Sequence, residues 1–199
     1  DNPVAIQSMA KTRTCDIEDT VRQIKALERM GCEIVRLAVK DDRDAKALRA
    51  IKKRIKIPLV ADIHFDWRLA VEAIDGGVNK IRLNPGNIYK KDQIREIVKA
   101  VKLHHIPIRV GLNSGSVRKP STSSSKLSTA QLMVQAARDY LRILEGLGFY
   151  DIVLSLKASN IFDTIEAYRR MSELCDYPFH LGVTATGSPY SGVIKSTAA

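Results

Sequence analysis

The chain repeats one unit: a short β-rich run that closes on charged or amide side chains, then an amphipathic helical stretch. The runs are PVAIQSM (3–9), EIVRLAV (33–39), IPLVADIH (57–64), VNKIRLNPGN (78–87), IPIRVGLNSGS (106–116), FYDIVLSLKAS (149–159) and YPFHLGVTATG (177–187). Strand–helix alternation calls for parallel strands joined by crossover helices. In sheets built this way, ligands meet the protein at the carboxyl ends of the strands. Seven candidate binding residues stand near those ends: Arg36, Asp62, Arg82, Asn84, Arg109, Asn113 and Lys157.

Between the runs, apolar residues fall at helical spacing. Ile17, Val21, Ile24 and Leu27 follow the candidate N-caps Thr14 and Asp16, and Gly31 ends that helix. Further helices are predicted over 43–55, from Asp66 to Gly76-Gly77, over 91–104, 127–146 and 160–175, with a seventh starting near Ser191. The segment RKPSTSSSK (118–126) reads as a mobile loop at the functional rim. Seven strands and six complete helices point to an α/β fold, a TIM (β/α)8-type barrel truncated before its last strand. An open doubly wound sheet is the runner-up. It would carry a glycine-rich first βα turn, and the MAKTRT after the first run has none. The expected organisation is one incomplete substrate-binding barrel over residues 1–199.

Side chains two apart on a strand share a face. Arg82 and Asn84 therefore lie together, with Ile81 and Leu83 opposite. Arg109, Gly111 and Asn113 repeat the pattern beside Ile108, Val110 and Leu112, as do Ser155, Lys157 and Ser159 beside Leu154 and Leu156. Asp62 and His64 pair in the same way. In a barrel the apolar set meets the helices, which turns the polar set inward. Inward Arg36, Arg82, Arg109 and Lys157 face one clear carboxylate, Asp62, and an uncompensated buried charge costs several kcal/mol, roughly. Arginine forks and a lysine point charge suit phosphate, so the expected occupant is a phosphorylated small molecule. The competing reading is an internal ion-pair network, which the excess of cations disfavours.

The turn Asn84-Pro85-Gly86-Asn87 is one that any barrel could use between a strand and a helix. His64 lies at the rim, where a functional and a structural role are both open. His180 sits early on the seventh run and reads as core. No Ser-His-Asp set or carboxylate pair is legible, and no catalytic residue is named.

Composition excludes more than it assigns. No apolar stretch reaches the ~18–20 residues that span a bilayer. Cys15, Cys32 and Cys175 are far apart in sequence and form no ligand spacing, so no metal site is expected in this segment. The net charge of +10 suits a nucleic-acid binder, yet much of it lies on the second and fourth helices, where solvated faces explain it. The few aromatics do not interleave with basic residues as a base-stacking platform requires. The chain starts at Asp1 without Met, which suggests a piece of a longer protein.

Taken together, PVAIQSMAKTRTCD, GCEIVRLAV, PLVADIHFDWRLA, IRLNPGNI, PIRVGLNSGS, LSLKAS and HLGVTATG followed by SGVIKS closely resemble the 4-hydroxy-3-methylbut-2-en-1-yl diphosphate synthase family, in order and over essentially the whole chain. The resemblance implies a TIM barrel that holds 2-C-methyl-D-erythritol 2,4-cyclodiphosphate. It also implies a second domain beyond residue 199 that carries a [4Fe-4S] cluster, with ligands outside this segment. The implied reaction is a two-electron reductive dehydroxylation that opens the ring to 4-hydroxy-3-methylbut-2-enyl diphosphate in the non-mevalonate isoprenoid pathway. Flavodoxin or ferredoxin would feed it, in a cytoplasmic homodimer where one subunit's cluster domain caps the other's barrel.

Carried over residue by residue, Arg36, Arg82, Arg109 and Lys157 resemble the family's diphosphate clamps, and Asp62, Asn84 and Asn113 its polar contacts to substrate. The chain departs from the family's pattern in three places. Ala185 and Thr186 stand where the motif G-V-T-E-A-G has Glu and Ala, residues 118–126 are unlike the acidic stretch often found there, and the eighth strand and cluster domain are not in this sequence. The segment alone is therefore expected to bind substrate without turning it over. Two other readings remain at this point. One is a dihydropteroate-synthase-like barrel for another phosphorylated metabolite, against which the IRLNPGNI context argues. The other is a basic nucleic-acid-binding module with steeply salt-dependent affinity.

Overall fold

A computed structural model describes residues 3–117 and 127–198. The elements are β1 (Gln7–Met9), α1 (Ile17–Arg29), β2 (Ile34–Val39), α2 (Asp42–Lys52), β3 (Leu59–Ile63), α3 (Arg68–Asp75), β4 (Lys80–Leu83), α4 (Lys91–His104), β5 (Ile108–Asn113), a 3-10 turn (Ser114–Ser116), α5 (Thr129–Gly146), β6 (Ile152–Lys157), α6 (Ile161–Ser172) and α7 (Pro189–Ala198). The strand order is that of the chain, β1 to β6. A doubly wound sheet reverses its order at a switch point, whereas barrel winding adds each strand beside the last. The order observed is the barrel's. The expected loop at 118–126 lies outside the described residues.

The chain forms two compact units, Asp1–Leu83 with Lys90–Ile108, and Asn84–Tyr89 with Arg109–Ala199. In the first, β1, β2, β3 and β4 pair in parallel, with Met9 opposite Arg36, Ala38 opposite Asp62, and Asp62 opposite Arg82. Alternation on β2 is clean: Val35, Leu37 and Val39 are at most 1% exposed, while Arg36 and Ala38 take the other face. Helix α2 packs on β2, and α3 on β3 and β4. The α2 start is fixed by Asp41, whose carboxylate accepts the Arg43 and Asp44 N–H groups, as an N-cap aspartate should. Thr14 is not a cap. Its hydroxyl donates to the Ala38 carbonyl at 2.6 Å, and Asp16 takes the N-cap position without a side-chain bond. Gly31, at φ 90°, ends the first helical segment as its sequence position suggests.

In the second unit α5 and α6 pack on β6 and on each other. Ser128 and Gln131 form a reciprocal capping box at the start of α5, and the Asn160 amide oxygen accepts the Phe162 N–H at the start of α6. The seventh run is not a full strand. It makes one isolated parallel bridge, Leu154 to Phe179, with Leu154 N–H donating to Pro178 O (2.9 Å) and His180 N–H to Leu154 O (2.7 Å). Six strands, not seven, are thus present among the described residues. The physical reason is local: Pro178 has no N–H, Gly182 has no side chain to pack, and Ala185 turns the backbone at φ 51°. The run touches β6 through a few bonds that end with Thr184 N–H on Ala158 O, at 3.3 Å. Among the described residues no helix is long and apolar enough to cross a membrane.

Candidate functional site

In the first unit, the strand register does the positioning. Asp62 sits on β3 between Arg82 on β4 and the β2 position two residues after Arg36. Arg82 Nη1 donates to Asp62 Oδ1 at 2.9 Å, and Arg36 Nε stands 3.4 Å from Asp62 Oδ2. Asp62 and Arg82 are 4% and 7% exposed, so this carboxylate is shared in a dry setting. Arg36 also aims Nε and Nη2 at the Met9 sulfur, at 3.2 and 2.8 Å, from the strand partner that register places beside it. Burial lowers the Arg36 pKa against the pull of Asp62, but arginine starts so high that the group stays charged. Two guanidiniums against one carboxylate leave this cluster with an excess positive charge, which is the electrostatic condition for holding an anion.

His64 follows β3 on the Asp62 face. Its Nε2 is buried and has no hydrogen-bond partner among the described residues. Burial lowers its pKa first, Asp62 opposes this, and Arg82, Lys40 and Arg36 add to the lowering. Phe65 next to it holds φ 58° while 73% exposed, and its ring meets His64 edge-on at 6.2 Å. A left-handed non-glycine residue costs about 1–2 kcal/mol.

The second unit holds the other candidates. Asn84 is 5% exposed, and its side-chain oxygen accepts the Gly86 N–H (3.0 Å) and the Ser116 hydroxyl (3.3 Å). The Asn84 carbonyl accepts Asn87 and Ile88 N–H, which closes the N-P-G-N turn. Gly86 is there because a Cβ would stand 2.5 Å from the Ser116 carbonyl oxygen. The single Ser116 proton is shared between Asn84 Oδ1 and the nearer Asn113 carbonyl, at 2.8 Å, while the hydroxyl oxygen accepts the Asn113 N–H at 3.3 Å, so one hydroxyl ties the turn after β4 to the end of β5. Arg109, on β5, is 1% exposed, and its charge lowers the Tyr168 pKa that burial raises. Lys157 closes β6, half-buried, with Nζ 3.0 Å from His180 Nε2.

The structure thus joins Arg36, Asp62 and Arg82 directly, joins Asn84 and Asn113 through Ser116, and gives Lys157 a partner in His180. Reading parity along strands missed Met9, Ser116 and His180. For His180 the signal was present: His180, Gly182 and Thr184 alternate on one face of a run that follows the β6 lysine by one helix. Among the described residues no three His, Cys, Asp or Glu side chains are grouped to hold a metal ion, and the three cysteines are free thiols.

Parallel strands added in chain order, with helices between them, define a protein of the TIM-barrel class. The GcpE TIM-barrel domain matches residues 1–199, and the chain belongs to that family. A 4-hydroxy-3-methylbut-2-en-1-yl diphosphate synthase (flavodoxin) from Listeria monocytogenes serotype 4b (strain CLIP80459) is 54% identical over 195 residues, which are 98% of this chain and 53% of that protein. A protein of the same description from Caldanaerobacter subterraneus subsp. tengcongensis is 52% identical, over 98% of this chain and 55% of its own length. The chain spans about half the length of the curated relatives it matches. Among solved structures, Yersinia pestis dihydropteroate synthase superposes with a TM-score of 0.65 at 13% identity, over 98% of this chain and 79% of its own. The HMG-CoA lyase of Brucella melitensis gives 0.64 at 12% identity, over 98% and 77%. Likeness at that identity shows the fold alone.

Proposed function

We propose that this chain supplies the substrate-binding barrel of a 4-hydroxy-3-methylbut-2-en-1-yl diphosphate synthase, holding 2-C-methyl-D-erythritol 2,4-cyclodiphosphate for reductive ring opening. The observation that carries this reading is the 54% identity over 98% of the chain to a protein of that name. The geometry agrees in kind. Arg36 and Arg82 offer forked donors to the diphosphate, with Asp62 holding both guanidiniums in place. For the second unit the reading rests on the strand pattern of the sequence: Arg109 and Lys157 as further diphosphate contacts, and Asn84 and Asn113 as amides for substrate oxygens. Their work is positioning: a diphosphate held at its oxygens presents the ring in one orientation, and orientation is a large part of rate enhancement.

Reduction takes two electrons, and an iron–sulfur cluster would supply them in the longer protein. The described residues do not fit that group: no three His, Cys, Asp or Glu side chains among them are grouped to hold a metal, and the three cysteines are free thiols. In this reading the cluster ligands lie outside these residues, and a flavodoxin, as in the relatives' names, or a ferredoxin is the donor. The functional assembly is a homodimer, and the free thiols accord with a reducing cytoplasm.

Calorimetric titration of the cyclodiphosphate into this chain tests the reading. Saturable binding is expected, with no product formed under anaerobic reducing conditions. Absence of binding, together with salt-sensitive capture of RNA or DNA, would overturn it.

A further inference from the structure

We propose that His180 is the positioning residue of Lys157, which rests on the reading of Lys157 as a diphosphate contact. The two side chains meet at 3.0 Å between Nζ and Nε2. A lysine ammonium has three donors and no acceptor, so the imidazole nitrogen accepts. That fixes His180 as the neutral tautomer with its proton on Nδ1. An acceptor of this kind orients the ammonium without cancelling its charge, which a carboxylate in the same place would do.

The backbone that carries this imidazole is itself held from two sides. His180 N–H donates to the Leu154 carbonyl at 2.7 Å, and its own carbonyl accepts the Tyr168 hydroxyl at 2.5 Å. The same phenol oxygen accepts the Leu156 N–H at 3.0 Å, so α6 clips the seventh run to β6 one residue before the lysine. Tyr168 is 8% exposed, and its ring packs edge-on against Phe179 at 5.4 Å. Two residues after His180, Gly182 leaves room for the lysine stem: a Cβ there would stand 2.9 Å from Lys157 Nζ and 3.1 Å from Cε. The lysine is thus guided along its stem by Gly182 and at its head by His180. A lysine ordered before the ligand arrives loses less rotamer freedom on binding, which appears as affinity.

The test compares His180→Gln, whose amide oxygen can accept from the same direction, with His180→Phe, which keeps a ring but has no acceptor. Each is titrated with the cyclodiphosphate, alone and combined with Lys157→Ala. His180→Phe is expected to weaken binding about fivefold, His180→Gln to recover to within about twofold, and His180→Phe to add nothing once Lys157 is alanine. Nitrogen-15 spectra of the parent are expected to show the Nδ1–H tautomer at His180. Parent-like affinity in His180→Phe, an equal loss with Lys157 already removed, or an Nε2–H tautomer would each overturn the inference. If Lys157→Ala itself binds like the parent, the reading of Lys157 as a diphosphate contact fails and takes this inference with it. If Lys157→Ala is weak while His180→Phe is normal, only the inference fails.

Discussion

In the first unit two arginines from different strands, Arg36 and Arg82, close on the single carboxylate of Asp62, whereas in the second Lys157 is met by the imidazole of His180. The two partners do different physical work. A shared, buried carboxylate binds its cations strongly and offsets part of their charge, so it is tied into the stability of the strands that carry it. A neutral imidazole directs a cation and leaves its charge intact, so its loss shows in binding before it shows in folding. The same pattern, a cation on a strand of the parallel sheet, is therefore built in two ways.

The largest expected effect is Asp62→Ala. Removing the carboxylate that two buried or half-buried guanidiniums share should cost about 3–5 kcal/mol in urea unfolding. Lys157→Ala should cost about 1 kcal/mol or less in the same assay, the worth of a typical hydrogen bond. Equal costs for the two would break the comparison. Next in size is Gly86→Ala, where the new Cβ meets the Ser116 carbonyl at 2.5 Å. The atom met is a backbone carbonyl, which has little room to give, so a loss of about 1–3 kcal/mol is expected. A neutral result would mean that the turn after β4 is not pinned to Ser116.

The smallest effect is in pH dependence. The His64 pKa is lowered in the folded protein below its ordinary 6.5, chiefly by burial. As pH falls, the unfolded chain takes up this proton first. The stability from neutral, buried His64 is thus complete above about 6.5 and is lost as pH falls toward the folded value. Between pH 7 and 5 the parent should lose more stability than His64→Gln. Superimposable curves would show that His64 makes no such contribution.

Much of this was legible in the sequence, and the failures have local causes. Helix α4 runs over the predicted 91–104 because Ile94, Ile97, Val98 and Val101 give it an unbroken buried stripe. Parity placed Arg36 opposite in facing to Val35, Leu37 and Val39, because β2 is buried on one side by helices. The third helix starts at Arg68 rather than Asp66, since Phe65 takes a left-handed turn that residue type does not advertise. The seventh run has a strand's alternation and only an isolated bridge, because ladder formation depends on neighbours that a single segment cannot reveal. For the same reason His180 reads as core on its own run and as the partner of Lys157 once that run lies along β6. Ser116 was invisible as a tie between Asn84 and Asn113, since the contact spans 32 residues of chain.

We propose that a carboxylate-held cation, Arg36, and an imidazole-held one, Lys157, are each diphosphate contacts. Titration of the cyclodiphosphate into Arg36→Ala and Lys157→Ala, each checked for an intact fold, tests it most directly. A charged hydrogen-bonding contact is worth roughly 1.5–3 kcal/mol, so each variant should bind at least about tenfold more weakly than the parent. Parent-like affinity in both would contradict the claim.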